Sequence, residues 1–74
     1  MLNFTYALGS EVSALYLDGK LITSKYIVDV EDLLIYANGE PFKIKKVYLD
    51  DEWVRKIVGF VLPHDEKDLL LADE

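Results

Sequence analysis

The stretch DVEDLLIYANGEPFKIKKVYL, Asp29 to Leu49, decides how the rest of the chain is read. Val30, Leu33, Leu34 and Ala37 fall at i, i+3, i+4 and i+7, which lines one helical face with apolar side chains while Glu31, Asp32 and Asn38 look away. Asp29 precedes this stripe and is placed to accept hydrogen bonds from the first free backbone N–H groups. Glu31 and Asp32 add negative charge where the helix dipole favours it. Asn38-Gly39 tolerates positive φ just past the last apolar position, and Pro41 stops the helix from continuing. The pattern predicts a core-facing helix of about two turns, with Leu34, Leu15 and Trp53 deeply buried.

From Phe42 the period falls to two, with Phe42 and Ile44 on one face and Lys43 and Lys45 on the other. Val47 and Leu49 then return out of phase with Phe42 and Ile44. Two readings stay open for this strand: a β-bulge near Lys45-Lys46, or a strand apolar on both faces because it lies centrally in a sheet.

Upstream, residues 2 to 28 read as a three-stranded meander punctuated by Gly9-Ser10 and Asp18-Gly19, the second being a strong hairpin signal. With two-residue turns at both, Leu17 faces Lys20, Leu15 faces Ile22, and Phe4 faces Leu15. Opposed residues share a face, so Leu2, Phe4, Tyr6, Leu8, Leu15, Leu17, Ile22, Tyr26 and Val28 form the expected core side. Asn3, Thr5, Ala7, Val12, Ala14, Tyr16, Leu21, Thr23, Lys25 and Ile27 form the other, which is expected to be half wet or an interface, the rival being a monomer in which the second helix and the C-terminal leucines cover it.

Downstream, Asp50 or Asp51 caps a second short helix with Trp53, Val54 and Ile57 as its apolar arc and Gly59 as its stop. Phe60, Val61 and Leu62 form a brief apolar run ended by Pro63. From His64 onward acids are mixed with Leu69-Leu70-Leu71, so this tail either docks by its leucines or stays mobile. The fold class is therefore α+β: an antiparallel meander of three strands, then helix, strand, short helix and a short C-terminal extended segment. Residues 1–63 are expected to be one compact domain and 64–74 an acidic tail whose removal leaves that domain folded.

Seventy-four residues fit one domain near the size at which a single core is just sufficient. Half of the chain is apolar (51%), so some large apolar side chains must stay at the monomer surface, where contiguous ones mark a contact with another chain. With no cysteine, disulfides and thiolate metal sites are excluded. No basic segment precedes an apolar run at the N-terminus, and no apolar stretch approaches the roughly 20 residues that span a bilayer. The expectation is a soluble, cytoplasmic protein that does not enter membranes.

Catalytic patterns are missing. His64, the single histidine, sits beside Asp65, Glu66 and Asp68 with no nucleophile to pair with, and reads as part of a solvated acidic segment. Asp50-Asp51-Glu52 is explained by helix capping, since three consecutive residues cannot all aim at one cation. The four glycines are isolated and form no phosphate loop. No catalytic residue, metal site or cofactor is expected, and the chain is read as a non-enzyme.

The net charge of −6 disfavours generic binding to nucleic acid. Lys43, Lys45, Lys46, Arg55 and Lys56 nevertheless cluster in sequence and form a candidate basic patch. Val12, Tyr16, Leu21 and Ile27 on the second sheet face, with Ile35 and Tyr36 beside the helix stripe, are the candidate interface. The function expected is that of a small acidic protein-binding module, a homodimer or a small subunit or regulator of a larger partner. The alternative is a nucleic-acid-related role, through the basic patch or through an acidic surface that imitates the phosphate backbone.

Overall fold

The computed structural model describes residues 1–57 and 61–72. Strands β1 (Leu2–Leu8), β2 (Ser13–Leu17) and β3 (Lys20–Lys25) form the meander; α1 (Val30–Ala37), β4 (Phe42–Tyr48) and α2 (Asp51–Lys56) follow, and a 3-10 turn spans Glu66–Asp68. Among the described residues the sheet is mixed, in the order β3-β2-β1-β4, with β4 parallel to β1. The protein is a small α+β domain. No helix among the described residues is long and apolar enough to cross a membrane.

The turns explain the sheet. Asp18 and Gly19 take φ of 49° and 86°, the pair of positive values that matches strand twist in a tight hairpin, and Leu17 pairs with Lys20 as the spacing predicts. Gly9-Ser10 is not a two-residue turn. The connection runs from Gly9 to Val12, whose carbonyl accepts from the Gly9 N–H at 2.8 Å. A Cβ on Gly9 would stand 3.0 Å from that same carbonyl oxygen, a tight approach that favours glycine there. The wider loop pairs Phe4 with Leu17 instead of Leu15. Because the displacement is two residues, each side chain keeps its face. A further irregularity between Leu15 and Tyr16 sets Leu15 opposite Thr23 instead of Ile22.

Each face of the sheet carries its own core. On one, Phe4, Leu15 and Val28 pack with Leu33 and Ala37 of α1, flanked by Leu2, Tyr6, Leu17, Ile22 and Phe42. On the other, Ala7, Val12, Ala14 and Tyr16 pack with Leu49, Val54 and Leu62, flanked by Leu21, Val47, Trp53, Ile57 and Leu69. Of the two alternatives for the second face, the wet or intermolecular one is corrected and the rival describes it: α2 and the C-terminal segment of the same chain cover it. Val12 and Tyr16 are buried there and unavailable to a partner.

The two-faced core also accounts for β4. Its pairing with β1 is continuous from Leu2 with Phe42 to Leu8 with Tyr48, so no bulge intervenes at Lys45-Lys46, and the strand lies at an edge instead of the centre. Phe42 serves the α1 face and Val47 the α2 face, which is why the apolar phase changes along the strand.

Both helices are capped as their sequences require. The Asp29 carboxylate accepts from the Asp32 N–H while the Asp32 side chain accepts from the Asp29 N–H, and Asn38 closes α1 at φ 49°. Asp50 caps α2 by accepting from the Trp53 N–H at 2.9 Å. The phase of α1 differs from expectation. Leu33 and Ala37 are buried, whereas Val30 and Leu34 are 69% and 56% exposed. Trp53 is half-buried instead of deeply buried. Leu34→Ala is accordingly expected to change stability by less than about 0.5 kcal/mol, against about 2–5 kcal/mol for Leu33→Ala; urea denaturation of the two variants checks this.

The segment after Pro63 is docked. The His64 carbonyl accepts from the Leu21 N–H at 2.8 Å and the Glu66 N–H donates to the Gly19 carbonyl at 2.9 Å, beside the Lys20–Asp65 ion pair. The chain then crosses the second face, where Leu69 packs on the core, and residues 70–72 pair with 48–50 at the end of β4. Leu62 is buried and Val61 exposed, while the expected stop at Gly59 and the apolar Phe60 lie outside the described residues.

Tyr16 fastens this strap. Its hydroxyl donates to the Pro63 carbonyl at 2.7 Å, and burial, aided by the Glu66 charge, pushes the phenol up to about 12. A folded-state value above the unfolded one makes this contribution complete below pH 10 and progressively lost as pH rises toward 12. Tyr16→Phe should cost about 1 kcal/mol at neutral pH by leaving the Pro63 carbonyl without its donor. It should also remove the tyrosine's share of the alkaline decline, as unfolding midpoints of both proteins across that range would show.

Candidate functional site

α1 packs on the sheet through Leu33 and Ala37, in a cluster that Phe42 of β4 flanks. Its β3 side is tied down: Lys25 bonds Asp32 at 2.7 Å, and the Tyr36 hydroxyl donates to the Ile22 carbonyl at 3.5 Å. The Lys25 ammonium, with the Asp29 backbone N–H, holds the Asp32 carboxyl below its usual range. The opposite side of α1 is left open. Val30 and Leu34 lie one turn apart on it, and below them β4 presents Ile44 and Tyr48 on the face that Phe4 and Leu8 share.

Of these side chains, Val30 and Ile44 line one groove. At its inner end a crevice of about 50 Å³ is bounded by Tyr6, Leu15, Val28, Val30, Leu33 and Ile44. Ile44 and Tyr48 are 47% and 60% exposed, so the groove is apolar on both walls and open to solvent. Along its outer rim runs the edge of β4, which over 42–46 pairs with no further strand among the described residues. The Leu49 N–H donates to the Leu8 carbonyl, whereas the Tyr48 carbonyl faces away from β1 and accepts from Ala72. Backbone groups alternate along a strand, so those of Phe42, Ile44 and Lys46 also point away from the sheet.

A second depression, of about 400 Å³, lies on the other face and is lined by Asn3, Thr5, Asp18, Lys43, Lys45 and Glu66 among others. Its charges largely answer one another: Lys45 bonds Glu66 at 3.2 Å, and Asp18 stands near. It converges no nucleophile with a base. Among the described residues no three metal-ligating side chains meet, and His64 is exposed with its carbonyl engaged by Leu21.

The basic residues are dispersed. Lys43 and Lys45 face the α2 side of β4, Lys46 faces the α1 side with Tyr6, and Arg55 and Lys56 lie in α2. Of the candidate interface residues, Val12 and Tyr16 are buried and Leu21 packs against their cluster. Ile27, Ile35 and Tyr36 are exposed, but Ile35 lies on the outer surface of α1 and Tyr36 on its β3 side. Sequence reasoning missed the groove because it placed Val30, Leu34 and Ile44 in the core. Three lysines within five positions of β4 were the available signal, since lysine is how natural sheets guard an edge.

Compared with known protein families, with curated proteins and with solved structures, the chain matches none.

Proposed function

We propose that this chain is a protein-binding module, a small subunit or regulator of a larger assembly, and that the groove between α1 and β4 is its binding surface. One observation carries this: Val30 and Ile44, 69% and 47% exposed, line one apolar crevice with Tyr6 and Leu33, beside an edge of β4 that pairs with no further strand over 42–46 among the described residues. Contiguous apolar surface of this kind on a small domain marks a contact with another chain. The apolar surplus of the other sheet face needs no such partner, because the chain covers that face itself.

Val30→Glu and Ile44→Glu place a charge in the groove at exposed positions and should leave the unfolding midpoint within about 0.5 kcal/mol of the parent. The unmodified protein should capture a partner from its native lysate, and each variant should reduce that capture at least about tenfold. Sedimentation equilibrium at high micromolar concentration tells whether the partner is a second copy. If both variants retain the same partners, the groove is not the binding surface.

A further inference from the structure

We infer that the groove receives its partner as an added β-strand: an extended segment of another protein, with acidic and apolar residues in alternation, pairs with the edge of β4 at Phe42, Ile44 and Lys46, which no strand among the described residues occupies. This rests on the groove being a protein-binding surface and adds to it the mode and chemistry of the partner.

The edge is chemically ready for such pairing. The backbone groups of Phe42, Ile44 and Lys46 point away from β1, and an extended chain laid beside them would hydrogen-bond to each. The protein already uses the continuation of this edge in that way. Its own residues 70–72 run antiparallel to 48–50, with Leu71 opposite Leu49 and bonds of 3.0 Å and 2.8 Å from Asp50 to Leu70 and from Ala72 to Tyr48. A partner strand at 42–46 would prolong that line.

The lysines decide who the partner is. In a two-fold antiparallel pairing of two β4 strands, opposed side chains stand about 5 Å apart on one face. Centring the axis on Ile44 sets Lys43 against the other copy's Lys45. Centring it on Lys45 or on Lys46 sets that lysine against itself. Each register repels, so the edge is guarded against a second copy of this chain. The same side chains attract a strand with carboxylates at the facing positions. Lys43 makes no ion pair among the described residues, and with Lys45 it projects from the face away from α1. Of two acids two positions apart, one would meet Lys43 and the other would share Lys45 with Glu66. The residue between them, opposite Ile44, would then point toward α1 and enter the groove beside Val30, where only an apolar side chain is satisfied.

Amide hydrogen exchange followed by NMR, with a short synthetic peptide of alternating glutamate and valine as probe, tests this. At about ten times the dissociation constant, exchange at the Ile44 and Lys46 amides should slow about tenfold, with no comparable change at Lys43 and Lys45, whose N–H groups already face β1. A lysine–valine peptide should give no protection, and Lys43→Glu should abolish that given by the glutamate peptide. Equal protection by both peptides would overturn the proposal. Shifts confined to Val30 and Ile44 side chains, without amide protection, would also overturn it while leaving the groove as a binding surface. No response anywhere at millimolar peptide would overturn the strand mode, and the groove variants would then decide the broader function independently.

Discussion

Phe4→Ala is expected to remove about 3–5 kcal/mol of stability, close to all that a domain of this size holds. Phe4 is 2% exposed at the centre of the α1-face cluster, where it meets Leu15, Val28, Leu33 and Ala37. Its ring also stands edge-on to Phe42 at 5.6 Å, which is one of the contacts joining β4 to the sheet. Few neighbours can move in to fill the space, because α1 is fixed by its capping box and by the Lys25–Asp32 pair. With a slope of about 1 kcal/mol per molar urea for so small a protein, the midpoint should fall by about 3 M or the transition should disappear. A loss under about 1 kcal/mol would mean that α1 does not close this face.

Truncation after Pro63 is the second large effect, and it reverses the sequence-based expectation that residues 64–74 are dispensable. The cut removes four backbone hydrogen bonds that anchor the strap at both edges of the sheet: Leu21 to His64, Glu66 to Gly19, Asp50 to Leu70 and Ala72 to Tyr48. It also removes Leu69 from the cluster around Tyr16 and Val54. The combined cost is about 3–5 kcal/mol, so the truncated chain should unfold without a cooperative transition near room temperature. Leu69→Ala isolates the packing contribution and should cost about 1–2 kcal/mol. A truncated chain with an unchanged midpoint would show that the strap only rests on the surface.

The element order and both sheet faces were legible because they depend on alternation and on turn chemistry, which are local. Asp18-Gly19 sets one register directly, and even the misjudged turn at Gly9 displaced its pairing by an even number of residues, so the face of Phe4 or Tyr16 did not change. What covers a face is not local. Leu33 and Leu34 satisfy the same apolar stripe equally well, and only the way α1 is rotated on the sheet decides that one is buried and the other exposed. The exposure of Ile44 and Tyr48 on the same face is likewise a matter of tertiary placement that no local pattern records. Tyr16 and Val12 were offered as interface for the mirror reason: their cover comes from residues some forty positions later, and the apolar arc of Trp53, Val54 and Ile57 shows that α2 needs a surface without showing which one.

The Tyr16 hydroxyl and the parallel pairing of β1 with β4 also set the order of assembly during synthesis. β1, β2 and β3 find one another through connections of a few residues, but β1 meets its second neighbour only when Phe42 reaches Leu2, and Tyr16 waits for Pro63. Closing such long loops is entropically slow. A nascent chain is therefore expected to hold a meander with the α2 side bare until the strap has left the ribosome. Pulse-labelled exchange on refolding would show this as early protection of Leu15 and late protection of Leu21, whose amide is bonded to His64.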